Sequence, residues 1–231
     1  MKKIGIIGGI GPESTLHYYR GIIDAFRGHV GGKNYPDIII YSADLTELLE
    51  IMEGKSLERL TAWLLARVEA LHRAGAEFAV IASNTPHVVF AEVAARSPLP
   101  LISIVEATCM KARRLGLQRP GLLGTKFTMQ ADFFQKPFRE QGMEVVVPSA
   151  EEQQLIHEKL FTEIELGIIK DETRDSLLAI VKRMIERDAI DSLILGCTEL
   201  PLILPGDGHG IPFLNTTAIH VESIVRYCLE G

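Results

Sequence analysis

Apolar residues along the chain fall into two alternating patterns. Short continuous runs at 3–8, 37–42, 78–82, 120–124, 144–147 and 192–196 predict buried strands, and segments with apolar positions every three or four residues lie between most of them. Glu13 to Phe26 reads as a helix with Pro12 in its first turn, where the missing N–H has no helical partner to lose. Ser56 is placed to cap a helix whose Leu57, Leu60, Leu64, Val68 and Leu71 share one face and which stops at Gly75. In the second half, helices are expected from Phe133 to Gln141 and, as a pair, across 151–187, with a last helix from Thr217 to Leu229. Strand and helix alternate throughout, the mark of βαβ units on a parallel sheet.

The two halves of this pattern match each other. Gly5-Ile6-Ile7-Gly8-Gly9 aligns with Gly121-Leu122-Leu123-Gly124-Thr125 at an offset of 116. Ala79-Val80-Ile81-Ala82-Ser83-Asn84-Thr85 aligns with Leu193-Ile194-Leu195-Gly196-Cys197-Thr198-Glu199 at 114, and 38–44 resembles 145–151 at 107. Any βα protein ends strands in small residues, but three matches in preserved order imply an internal duplication. The expected fold is therefore α/β, with two pseudo-symmetric Rossmann-like lobes, each a parallel sheet flanked by helices. The first lobe is expected to comprise 1–98 and 213–231 and the second 99–212, with the active site between them. The chain should cross near Pro98 to Pro100 and return near Ile211 to Phe213. The last helix is assigned to the first lobe because Ile219, Ile224 and Val225 need a surface to cover.

Composition narrows the function classes. With 231 residues and 47% apolar content the chain has ample core for one large or two small domains. A net charge of −6 without a basic run argues against a nucleic-acid groove. No stretch approaches the ~18 apolar residues of a membrane span, so no membrane partner is expected. Met1-Lys2-Lys3 before an apolar run superficially resembles a signal peptide, but the run is broken by Gly5 and meets Pro12-Glu13 too early. The three cysteines, Cys109, Cys197 and Cys228, are odd in number and lack metal-ligand spacing, which points to a reduced, cytoplasmic compartment and no metal.

Chemistry concentrates where strands end, because open α/β sheets build sites at their carboxyl edges. Gly9-Ile10-Gly11-Pro12-Glu13-Ser14 matches a dinucleotide fingerprint with Ser14 in the last glycine position, and Asp44 follows the second strand where a ribose-binding acid would sit. Pro12, however, removes an N–H that a pyrophosphate needs at the helix start, so a turn aiming amides at a small anion is the better reading and no NAD is expected.

Four segments carry a family resemblance: Gly8-Gly9-Ile10-Gly11-Pro12-Glu13-Ser14-Thr15, Ser83-Asn84-Thr85-Pro86-His87, Leu123-Gly124-Thr125-Lys126-Phe127-Thr128-Met129 and Gly196-Cys197-Thr198-Glu199. In this order they resemble the signatures of the aspartate/glutamate racemase family, and the Cys-Thr-Glu sequence resembles its aspartate racemase branch. The resemblance implies two α/β lobes, no cofactor, a homodimer, and a dicarboxylic amino acid held between two cysteines. Racemisation without pyridoxal phosphate removes a weakly acidic α-proton from one face and returns one to the other. A thiol with an unperturbed pKa near ~8.5, lowered by its surroundings, serves as base on one side and as acid on the other.

The chain departs from that pattern at Ser83, where most members have cysteine, so Cys197 is the one thiol base left. Serine is a far weaker acid and needs a neighbouring base; His87 either serves as that base or holds the loop together. Three explanations stay open: a one-thiol racemase with lopsided activity, a cysteine-to-serine replacement that arrests turnover, or a relative that protonates one face. The candidate catalytic residues are Cys197, facing the L-enantiomer by resemblance, and Ser83 on the D-facing side. Gly11, Pro12, Asn84, Thr85, Thr125, Thr198 and Glu199 are the candidate substrate-binding residues, Glu199 holding the ammonium or capping the next turn. Asp44 and Ser42 either line the pocket or turn the chain, and Lys126 and Lys170 are basic groups for a side-chain carboxylate. The competing functions are a single-cysteine decarboxylase of the same fold and a non-catalytic amino-acid-binding relative.

Overall fold

In the computed structural model, residues 1–30 and 34–230 are described; 31–33 and 231, which fall in the expected first lobe, lie outside the described residues. The chain divides into two compact units, Met1–Ala107 with Thr217–Gly231, and Thr108–Thr216. The first begins β1 (Ile4–Gly8), α1 (Pro12–Val30), β2 (Ile38–Ser42), α2 (Leu45–Glu53) and α3 (Leu57–Arg73). It continues through β3 (Phe78–Ile81), a 3-10 turn at Thr85–Val89, α4 (Phe90–Arg96) and β4 (Leu101–Ile102). Helix α5 (Ile104–Arg114) leads into β5 (Pro120–Leu123), α6 (Lys126–Gln130), α7 (Asp132–Glu140) and α8 (Ala150–Thr162). A 3-10 turn at Ile164–Leu166, α9 (Asp171–Asp188), β6 (Ser192–Leu195), α10 (Leu200–Ile203), β7 (Phe213–Asn215) and α11 (Thr216–Leu229) complete the chain.

Both sheets are parallel, with strand order β2-β1-β3-β4 in the first unit and β5-β6-β7 in the second. Period-two alternation explains how β1 and β3 bury both faces. Ile7, Ala79 and Ile81 pack with Leu60, Leu64 and Val68 of α3, while Ile4, Ile6, Phe78 and Val80 pack with Tyr18, Ile22 and Phe26 of α1. Val221, Ile224, Val225 and Cys228 of α11 join this second face, so the last helix belongs to the core of the first unit. The expected cap at Ser56 is present, its hydroxyl accepting the Arg59 N–H at 3.3 Å.

The segment expected to be a strand at 144–147 is reduced to one isolated bridge, Gly121 to Val146. Glu144 N–H donates to Gln118 O and Val146 N–H to Pro120 O, both at 2.9 Å, and Leu122 N–H donates back to Val146 O at 2.8 Å. The next rung would need an N–H at position 148, which is proline, so the ladder stops there. With that edge counted, the second sheet repeats the strand order of the first, as the duplication implies. Helix α2 and the short strands β4 and β7 had no clear sequence signal. Among the described residues, no helix is long and apolar enough to cross a membrane.

Candidate active site

In the second unit, β6 delivers its chain end through Gly196, whose N–H donates to Leu123 O at 2.7 Å. A Cβ here would lie 2.7 Å from Leu122 Cδ1 and 2.9 Å from Leu123 O, so the strand end requires glycine. Cys197 follows, 7% exposed, and its thiol donates to Glu199 Oε2 at 3.0 Å and lies 3.9 Å from Glu165 Oε1. Thr198 Oγ1 donates to the same Glu199 oxygen at 2.8 Å. Burial first, then the charges of Glu199 and Glu165, push the Cys197 thiol well above its usual value. The sequence argument expected a lowered thiol; two carboxylates at the sulfur reverse that, so the group rests as a thiol. Glu199 makes no side-chain cap to α10, which removes the capping alternative.

Glu165 was not among the expected site residues. It sits on the 3-10 turn between α8 and α9, and burial followed by repulsion from Glu199 pushes its carboxyl up to about 7. The local sequence signal is Gly167, which adopts φ 73° between the two helices expected across 151–187, both of which form. Nothing in the sequence aims Glu165 at a cysteine 32 positions later. One donor atom each from Glu165, Cys197 and Glu199 lies within 4.8 Å of the others.

Other expected residues of this unit have structural duties. Thr125 caps α6, its Oγ1 accepting the Thr128 N–H at 3.2 Å. Lys170 pairs with Glu163 at 3.2 Å, and Lys126 Nζ donates to the neutral Gln154 at 3.0 Å. Of the two lysines, Lys126 is the one not neutralised by a carboxylate in these contacts. Cys109 and Cys228 are buried, their thiols donating to Pro137 O at 3.5 Å and Lys2 O at 3.1 Å.

In the first unit, the turn after β1 and the end of β3 are tied together. Ser14 Oγ donates to Ala82 O at 2.8 Å, and Thr15 Oγ1 accepts the Gly9 N–H at 2.8 Å. Gly9 has φ 82°, and a Cβ there would lie 2.2 Å from Ala43 O, so only glycine fits the turn. Gly11 is half-buried and Pro12 opens α1, as its fixed φ favours. Asp44 caps α2 through a 2.8 Å bond from Thr46 N–H, so it turns the chain rather than reaching a ribose.

Ser83 is half-buried just beyond β3, with Asn84 buried and Thr85 opening the 3-10 turn. His87 does not serve Ser83 as a base. Its Nε2 accepts the Ile104 N–H at 3.2 Å, so the proton is on Nδ1, which donates to the Ser83 carbonyl at 2.8 Å. Burial holds this imidazole neutral, lowering its pKa to about 4. His87 therefore anchors the Ser83 backbone and leaves the hydroxyl without the activating partner the sequence suggested. Beside it, His220 accepts from Tyr18 Oη at 2.7 Å and donates from Nε2 to Ile102 O at 3.0 Å.

A thiol between carboxylates at one strand end and a hydroxyl at the matching strand end can be compared with known proteins. The chain is 26% identical over 225 residues, 96% of each chain, to a broad specificity amino-acid racemase of Bacillus subtilis (strain 168). It is 38% identical to an aspartate racemase homologue from Pyrococcus horikoshii OT3, with a TM-score of 0.87 over 99% of this chain and 100% of that one. An aspartate racemase of Picrophilus torridus shares the fold at 19% identity and a TM-score of 0.74, over 99% and 94%. The model for Asp/Glu/hydantoin racemases matches residues 7–224, which include both strand ends, and the chain belongs to that family.

Proposed function

We propose that the protein racemises an acidic amino acid, aspartate or glutamate, by proton transfer at the α-carbon without pyridoxal phosphate. The observation that carries this reading is the Cys197 thiol, buried and bonded to Glu199 at the end of β6. A substrate ammonium seated against Glu199 offsets that carboxylate's charge, which after burial is the next cause holding the thiol protonated. At about 4 Å and an effective dielectric of ~20, one such charge is worth about 4 kcal/mol in the direction of the thiolate. Cys197 then takes the α-proton of the L-enantiomer. Strand-end amides, and hydroxyls such as that of Thr85, stabilise the carbanion, while Lys126 is the basic group for the side-chain carboxylate. Ser83 serves the opposite face, as a weak acid or through a water, so return of the proton there is slow.

Glu199 also favours an amino acid over a malonate-type substrate, which has no ammonium, and this sets the decarboxylase reading second. Incubation in deuterium oxide separates the classes. A racemase exchanges the α-proton of aspartate or glutamate, a decarboxylase releases carbon dioxide from a substituted malonate, and a binding protein does neither. Carbon dioxide release without exchange would overturn the proposal.

A further inference from the structure

Resting on the reading of Ser83 as the group that serves the D-facing side, we propose that His220 and Tyr18 are positioning residues for that serine, holding it in place through His87.

The route is a chain of buried contacts within the first unit. Tyr18 Oη donates to His220 Nδ1 at 2.7 Å, and His220 Nε2 donates to the Ile102 carbonyl at 3.0 Å. Just beyond, the Ile104 N–H donates to His87 Nε2 at 3.2 Å, and His87 Nδ1 donates to the Ser83 carbonyl at 2.8 Å. The two imidazoles also meet edge to face, with ring centroids 6.4 Å apart. Tyr18 and His220 are fully buried and His87 nearly so. Helix α1 adds a second tether from the same face: Ser14, one turn before Tyr18, donates its hydroxyl to the Ala82 carbonyl at 2.8 Å. The Ala82 carbonyl and the Ser83 N–H share one peptide plane, and the Ser83 carbonyl belongs to the next. Side chains therefore pin both planes that flank the Ser83 Cα, which fixes the backbone dihedrals that aim its hydroxyl.

Core filling does not explain this arrangement. Strand β4 is two residues long and lies at the edge of its sheet, so the ladder does little to place the segment from Ile102 to Ile104. Tyr18 lies in the apolar layer with Ile4, Ile6 and Ile22, where an apolar pair of equal volume would fill the space without desolvating a hydroxyl and an imidazole. What the polar pair supplies is direction, a bond aimed at one carbonyl. Burial, followed by the neighbouring His87, lowers the His220 pKa to about 3, so the ring stays neutral with its proton on Nε2. A serine acting as a weak acid depends on placement more than a thiol does. Cys197 lies in the second unit, so the two proton-transfer groups can be perturbed separately.

The test uses the whole chain and the variants His220→Leu, His220→Gln and Tyr18→Phe, with saturating rates scaled to the folded fraction from circular dichroism. Glutamine keeps an N–H donor near the position of Nε2, leucine keeps only volume, and phenylalanine removes only the hydroxyl. His220→Leu should lower inversion, and α-deuterium exchange from D-aspartate and D-glutamate, by ~10-fold or more. Exchange from the L-enantiomers and KM should stay within ~2-fold, His220→Gln should recover most of the loss, and Tyr18→Phe should lose ~3-fold in the same steps. Without any substrate, hydrogen exchange at the Ile104 amide, read by NMR, should speed ~10-fold in His220→Leu, about the worth of one hydrogen bond. An equal loss from both enantiomers marks a structural role and would overturn the proposal. So would an unmoved Ile104 amide, unchanged inversion in His220→Leu, or a loss that glutamine does not rescue. If His220→Leu does not fold, Tyr18→Phe supplies the same comparison of D- against L-side rates. A faster Ile104 amide in a protein that exchanges no amino acid would retire the racemase reading and leave the coupling of His220 to the Ser83 turn standing.

Discussion

Replacing His87 by alanine should destabilise the protein in a pH-dependent way that identifies the imidazole as an anchor. The side chain donates to the Ser83 carbonyl and accepts from Ile104 N–H, and it stacks on Phe90 at 5.1 Å. Losing both bonds and leaving buried backbone groups unpaired costs about 3 to 4 kcal/mol at pH 7.5. In the folded protein the imidazole takes up a proton at about 4 rather than near 6.5. The unfolded chain thus binds the extra proton first, so the wild-type contribution is complete above pH 6.5 and is lost as the pH falls toward 4. By pH 4.5 linkage removes about 2.5 kcal/mol of it, and the gap between wild type and variant shrinks to about 1 kcal/mol. Urea unfolding followed by circular dichroism at pH 7.5 and 4.5 gives the two differences. A gap that stays constant or widens at acid pH would show that His87 is charged in the fold, and the anchoring argument would fail.

Gly196→Ala should cost about 2 kcal/mol or more, because the new Cβ meets the Leu123 carbonyl as well as a side chain; thermal unfolding would show it, and a neutral result would refute the close approach of the two strand ends. Ser149→Ala removes the hydroxyl half of the capping box with Glu152 on α8 and should cost about 1 kcal/mol by the same assay. Ser83→Cys should speed inversion, above all from D to L, measured by polarimetry from each enantiomer; a change confined to the L-to-D direction would contradict the assignment of Ser83 to the D-facing side.

What the sequence made legible follows from what each signal measures. Strands β1, β3, β5 and β6 announce themselves because both faces are buried and all their residues but Ser192 are apolar. Edge elements have no such requirement: Ile38–Ser42 is half-buried or exposed throughout, and 144–147 ends at Pro148 for lack of an N–H. Cys197, Thr198 and Glu199 were found as neighbours in one motif, and the structure joins them through a single carboxylate oxygen. Glu165 was missed because its approach to Cys197 depends on a turn held by Glu163, Lys159, Lys170 and Thr173, a set that no local pattern reveals. His87 shows the converse. Proximity in sequence suggested a base for Ser83, and the backbone N–H of Ile104 takes the nitrogen that a base would need.

The most direct test of one-sided thiol chemistry is proton NMR in deuterium oxide, following loss of the α-proton signal and inversion in the same sample from L- and D-aspartate and L- and D-glutamate. The account predicts that the L-enantiomer takes up deuterium faster than it inverts, and that Cys197→Ala abolishes both processes. Equal exchange from the two enantiomers in the unmodified protein, or full activity in Cys197→Ala, would contradict it.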